Sequence, residues 1–102
     1  MYRARDHVEN ERWLAAIDDA AERLGLGSEA KSRATDLFLS TVPDSERSKR
    51  AAVAASIYAG ALIAGERRSQ SAVAEAAGVS RLTVQNRWKE LLEAAGLEPP
   101  QW

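Results

Sequence analysis

From residue 48 to residue 64 the chain reads Ser-Lys-Arg-Ala-Ala-Val-Ala-Ala-Ser-Ile-Tyr-Ala-Gly-Ala-Leu-Ile-Ala, small or apolar almost all the way round. A helix with no polar side has nothing to turn toward water, so it must run inside a shell of other helices. Its alanines and Gly60 keep it thin, and neighbours can approach its axis from several directions. Its roughly seventeen residues span about 25 Å at about 1.5 Å each, the width of a small domain. A chain of 102 residues can supply one such shell around one core.

The flanking sequence supplies the shell. Trp13, Leu14, Ile17, Ala20, Ala21 and Leu24 recur at steps of three and four, with Asp18, Asp19, Glu22 and Arg23 off the stripe, which predicts a first amphipathic helix starting near Asn10. Gly25 and Gly27 end it, and Ser28 is placed to cap a second helix over 29–41 that buries Ala30, Ala34, Leu37, Phe38 and Val42. Pro43 stops that helix. Beyond Gly65, Ser69 and Ser80 are placed to cap two more, over 70–77 and 81–95, with Gly96 closing the last. No strand-like alternation or internal repeat interrupts the pattern, so the fold class is all-α. Residues 1–9 show no apolar period and read as a flexible lead, 10–96 as the helical domain, and 97–102, with Pro99 and Pro100, as a tail. Trp13 and Trp88 lie on apolar stripes and are expected in the core; Trp102 is either loose or an anchor.

Several function classes are excluded or disfavoured. There is no cysteine, hence no disulfide, thiolate metal site or thiol nucleophile. The only histidine, His7, falls in the lead, and no carboxylate pair, phosphate loop or metal-ligand spacing is present, so neither catalysis nor a metal or cofactor is expected. No run is long and apolar enough for a membrane span or a signal peptide, which points to a cytoplasmic protein, nucleoid-associated if archaeal.

The net charge of −1 hides a segregation. Residues 1–46 carry six basic and ten acidic side chains, residues 47–89 carry eight basic and two acidic, and residues 90–102 carry three acids alone. The middle segment holds Arg47, Lys49, Arg50, Arg67, Arg68, Arg81, Arg87 and Lys89 against Glu66 and Glu75, a candidate phosphate-facing surface. Lys49, Arg50, Arg67 and Arg68 are its candidate contacts outside the last helix.

Within that segment, residues 69–95 have the parts of a helix-turn-helix. Val73, Ala74 and Ala77 form the buried side of its first helix, Gly78 permits a left-handed turn, Val79 points between the helices and Ser80 caps the second. Val84, Trp88 and Leu91 face inward, which leaves Arg81, Thr83, Gln85, Asn86, Arg87 and Lys89 outward. The start of a recognition helix reaches deepest into a major groove, so Arg81 and Gln85, then Asn86, are the candidates for base edges. Ser80, Thr83, Arg87 and Lys89 are candidates for phosphates.

Residues from about 13 to 92 resemble one cyclin-like repeat of transcription initiation factor IIB and archaeal transcription factor B. The resemblance is carried by Ala-Ala-Val-Ala-Ala-Ser-Ile-Tyr-Ala (51–59), Gly-Glu-Arg-Arg-Ser-Gln (65–70) and Val-Ala-Glu-Ala-Ala-Gly-Val-Ser (73–80), continued by Thr83-Val84, Asn86-Arg87-Trp88 and Lys89-Glu90-Leu91. It implies a five-helix cyclin-like fold around a central third helix, with a C-terminal helix-turn-helix that reads double-stranded promoter DNA. It also implies TATA-binding protein and RNA polymerase as partners, and places Gln70, Ser80, Arg81, Thr83, Gln85, Asn86 and Arg87 in the DNA-contacting region. The sequence departs from the general factor in having one repeat and no zinc ribbon, and 44–48 lacks the glycine and proline expected before the central helix. It therefore reads as an excised repeat or a stand-alone one, with Met1 and the unlike residues 1–10 favouring the second; pairing of two copies on a symmetric site would replace the missing repeat. The other reading is an interaction module that docks on the TATA-binding protein or polymerase, with Asp18, Asp19 and Glu22 meeting a basic partner.

Overall fold

A computed structural model describes residues 10–97. The lead over 1–9 with His7, and the end of the tail over 98–102 with Trp102, lie outside the described residues. Within them the chain forms five helices and no strand: α1 (Glu11–Arg23), α2 (Ser28–Ser40), α3 (Glu46–Ile63), α4 (Gln70–Ala77) and α5 (Arg81–Ala94).

Helix α3 is the axis of the fold. Every residue from 51 to 61 is buried, and all four other helices pack on it. It starts two residues before the expected position because Ser45 caps it: the Ser45 hydroxyl accepts from the Ser48 amide at 3.1 Å, and Glu46 places a carboxylate in the first turn. The approach of α2 is closest at Gly60, where an added Cβ would lie 2.7 Å from the Ala34 amide nitrogen and 3.1 Å from the Ala30 carbonyl oxygen. The thin side of α3 is thus a seat for the backbone of α2.

The periodicity of the outer helices is translated directly into burial. Trp13, Ile17, Ala20 and Ala21 on α1, and Ala30, Ala34, Leu37 and Phe38 on α2, all enter the core, while Val42 is only half-buried. One cap differs from expectation. The N-cap of α2 is Gly27, with Ser28 already inside the helix, and no local side chain caps it. The acceptor comes from 39 residues away: Glu66 Oε1 accepts from the Gly27 amide at 3.0 Å.

Arg68 completes this link. Its Nε donates to the Leu24 carbonyl at 2.8 Å and its Nη2 to the Gly25 carbonyl at 3.2 Å, while Nη1 donates to Glu66 and Arg67 carbonyls. One carboxylate and one guanidinium therefore fasten the α3–α4 loop to the α1–α2 turn, satisfying backbone groups that helix ends leave open.

Candidate nucleic-acid interface

The last two helices, α4 and α5, lie where the sequence places them and are joined by a tight turn. Ser69 caps α4 by accepting from the Ala72 amide at 3.0 Å. At the other end Gly78 takes φ +74° and ψ 33°, and the next amide, of Val79, returns to the Ala74 carbonyl at 3.0 Å. That left-handed step is open to glycine at no steric cost. Val73 and Ala74 are buried, whereas Ala77 and Val79, expected inside, are half-buried against the edge of the core. Ser80 then caps α5, its hydroxyl accepting from the Thr83 amide at 3.1 Å and lying 2.9 Å from the Thr83 hydroxyl.

Helix α5 is held by Val84, Trp88, Leu91 and Leu92, all buried. The Trp88 ring meets Tyr58 of α3 edge-on, with centroids 5.2 Å apart and planes at 65°, a favoured aromatic geometry that sets the roll of α5 on the body. At about 100° per residue, Leu82 and Asn86 then fall nearest the middle of the exposed arc. Gln85 lies toward one flank, and Thr83 and Arg87 toward the other, while Arg81, in phase with the buried stripe, opens the helix at its first residue. Arg81, Gln85, Asn86, Arg87 and Lys89 are exposed, and Thr83 is half-buried. Arg81 Nη1 donates to Gln85 Oε1 at 3.3 Å, and Lys89 Nζ stands 5.5 Å from the Trp88 ring centroid. Glu90 and Glu93 make the second half of the exposed arc acidic, so the donor-rich part is the first two turns.

The other candidates divide between the two ends of α3. At its start, Arg47 and Arg50 are exposed and Lys49 is half-buried. Beyond its end lie Arg67, which is exposed, and Arg68, which corrects the expectation of a free phosphate ligand because its guanidinium is committed to the four carbonyls described above. Gln70, at the start of α4, is half-buried and separated by the length of α4 from the turn.

A cleft of about 460 Å³ joins the start of α3 to the start of α5, lined by Arg47, Ser48, Arg50, Ala51, Val79, Ser80, Thr83, Asn86 and Arg87. Arg47 belongs to the basic segment, but nothing in the sequence singles it out, because only the Ser45 cap carries it onto the helix and into this cleft. Leu82 is likewise absent from the sequence candidates. It is 57% exposed, a large apolar side chain on the outer face of a polar helix start. The stripe of Val84, Trp88 and Leu91 carries the signal, since Leu82 is out of phase with it.

Among the described residues no group of His, Cys, Asp or Glu is placed to hold a metal, and no helix is long and apolar enough to cross a membrane.

The comparisons agree with this architecture. The family described as the transcription factor TFIIB repeat matches residues 10–94, that is, all five helices. The chain is 37% identical over 87 residues to "Transcription initiation factor IIB" of Pyrococcus abyssi, covering 82% of this chain and 29% of that protein. It is 42% identical over 83 residues to "Transcription initiation factor IIB 6" of Halobacterium salinarum, covering 78% and 26%, and 38% identical over 78 residues to the Archaeoglobus fulgidus "Transcription initiation factor IIB", covering 74% and 24%. It thus spans under a third of the length of these relatives, which are named as transcription factors and not as enzymes. With its five helices packed round a buried third one and the family match running through all of them, the chain belongs to the transcription factor TFIIB repeat family.

Proposed function

We propose that the chain is a transcription factor that reads double-stranded promoter DNA with the first two turns of α5. The observation that carries this reading is the separation of faces on that helix: Val84, Trp88, Leu91 and Leu92 are buried, while Leu82, Gln85 and Asn86 are exposed together at its start, beside Arg81, which is exposed at the first residue. Arginine donates to guanine O6 and N7, glutamine and asparagine match the adenine edge, and an apolar side chain such as Leu82 meets a thymine methyl. Entry into a major groove by the start of a capped helix is the docking geometry of helix-turn-helix proteins. The relatives are named as transcription initiation factors, which supports a promoter as the duplex.

Docking on a basic protein through α1 is less well supported. Its carboxylates are already matched by cations of the chain, with Lys31 Nζ 3.2 Å from Asp18 and 3.7 Å from Glu22, and Arg23 Nε 3.0 Å from Asp19.

Titration of duplexes selected from random sequence tests the reading. Binding is expected with a log affinity that falls linearly with log salt. Replacing Arg81 by alanine is expected to cost about 1–3 kcal/mol on the selected site and to relax its preference. Absence of duplex binding at low salt, with capture of the TATA-binding protein or polymerase surviving nuclease treatment, would overturn it in favour of the interaction module.

A further inference from the structure

The cleft between α3 and α5 is lined by three arginines from two helices, Arg47, Arg50 and Arg87, and by no acidic residue. Among the described residues none of the three has a carboxylate within ion-pair distance. Glu46, the acid nearest in sequence, is drawn instead toward Arg12 on the neighbouring side of α3. Ser48, Ser80, Thr83 and Asn86 are among the other residues that line it. Arginine stays charged at any physiological pH and offers a planar fork that matches phosphate oxygens.

The placement of these charges is costly to the fold. Arg47 stands in the first turn of α3, where the helix dipole favours anions and disfavours cations, and it shares the cleft with Arg50 of the next turn and with Arg87. A concentration of like charge that opposes local stability, in a cleft wide enough for a phosphate group, has the character of a ligand site.

We propose that this cleft seats a backbone phosphate of the duplex, so that the first turn of α3, outside the helix-turn-helix, is a second point of attachment that fixes how α5 enters the groove. This rests on the reading of α5 as a DNA-binding helix. The seat carries no sequence information; it supplies affinity and register.

The test uses Arg47→Gln and Arg50→Gln, with Arg23→Gln as control. Arg23 is ion-paired at the end of α1, beside the loop that follows α3, and so lies about 20–24 Å away along that helix. Each cleft variant is expected to bind selected and unselected duplexes roughly tenfold more weakly. The slope of log affinity against log salt should shrink by about 0.9 for each phosphate no longer neutralised, with the base preference retained. The thermal midpoint of the free protein should be unchanged or higher, because a cation has been removed from a helix start; a purely structural role for these arginines would lower it. A slope that matches the wild type and the Arg23→Gln control, while the wild type still selects a duplex sequence, would overturn the phosphate seat and leave the reading of α5 standing. Loss of base preference with an unchanged salt slope would overturn it as well. A wild type that binds no duplex would overturn both. Titration with inorganic phosphate separates a free anion from a phosphodiester: saturable binding abolished by Arg47→Gln, with the duplex salt slope unmoved, would refute the assignment to DNA.

Discussion

Gly60 shows how a single hydrogen in place of a methyl sets the distance between two helices. Alanine is the better helix former by about 1 kcal/mol, so helix propensity alone predicts that Gly60→Ala stabilises. The added Cβ would meet the Ala34 backbone nitrogen at 2.7 Å, and backbone within a helix cannot swing aside as a side chain can. Overpacking of this kind costs about 1–3 kcal/mol, which exceeds the gain, so the variant is expected to unfold at lower denaturant with its helicity retained. Ser56 gives the opposite case. Its hydroxyl is fully buried and has no hydrogen-bond partner among the described residues. Removing an unpartnered buried hydroxyl releases its desolvation cost, and Ser56→Ala is expected to leave stability unchanged or raise it by about 1 kcal/mol in chemical denaturation. A loss of that size instead would mean that the hydroxyl has a partner in solution.

Between elements, the Glu66 and Arg68 contacts explain why Gly-Glu-Arg-Arg-Ser-Gln is a contiguous block. Glu66 caps α2, Arg68 closes the end of α1, and Ser69 caps α4, so three residues within a run of four serve three helix ends. Arg68→Gln leaves the Leu24 and Gly25 carbonyls without their donor and is expected to cost about 1–3 kcal/mol of stability. A phosphate ligand would behave differently. Its replacement would spare stability and reduce the salt dependence of DNA binding, so measuring unfolding and the salt slope on the same variant separates the two roles. For Arg68 the change is expected in unfolding alone.

On the scale of the whole molecule, charge is sorted by end. Cations of α1 and α2 are drawn into pairs with their own acids, as in Arg23 with Asp19, Arg33 with Glu29 and Lys31 with Asp18, whereas Arg47, Arg50 and Arg87 gather at one cleft. Exposed pairs of that kind contribute about 0–1 kcal/mol each, so their effect is chiefly to neutralise one side of the surface, while on the other Glu90 and Glu93 offset the cations only toward the end of α5. A duplex bound there stabilises the fold by linkage. At a free concentration of about 100 times its Kd it should raise the unfolding free energy by about 2.7 kcal/mol, seen as an upward shift of the thermal midpoint that disappears at high salt. An unshifted midpoint at saturating duplex would contradict binding to the folded state.

The local sequence was sufficient for the helices and for the buried side of each, because helical periodicity, capping serines and terminal glycines act within a few residues of one another. Val84, Trp88 and Leu91 could be placed inside, and Gln85 and Asn86 outside, from spacing alone, whereas Arg81 is in phase with the buried stripe and is exposed as the first residue of the helix. Tertiary structure alone decided which distant groups meet. No pattern along the chain shows that Glu66 caps a helix 39 residues earlier, that the guanidinium of Arg68 is spent on carbonyls, or that Arg47 and Arg50 come to face Arg87. Those outcomes depend on how far and at what angle helices cross, and that is set by side-chain packing around α3, an interaction with no fixed period in sequence.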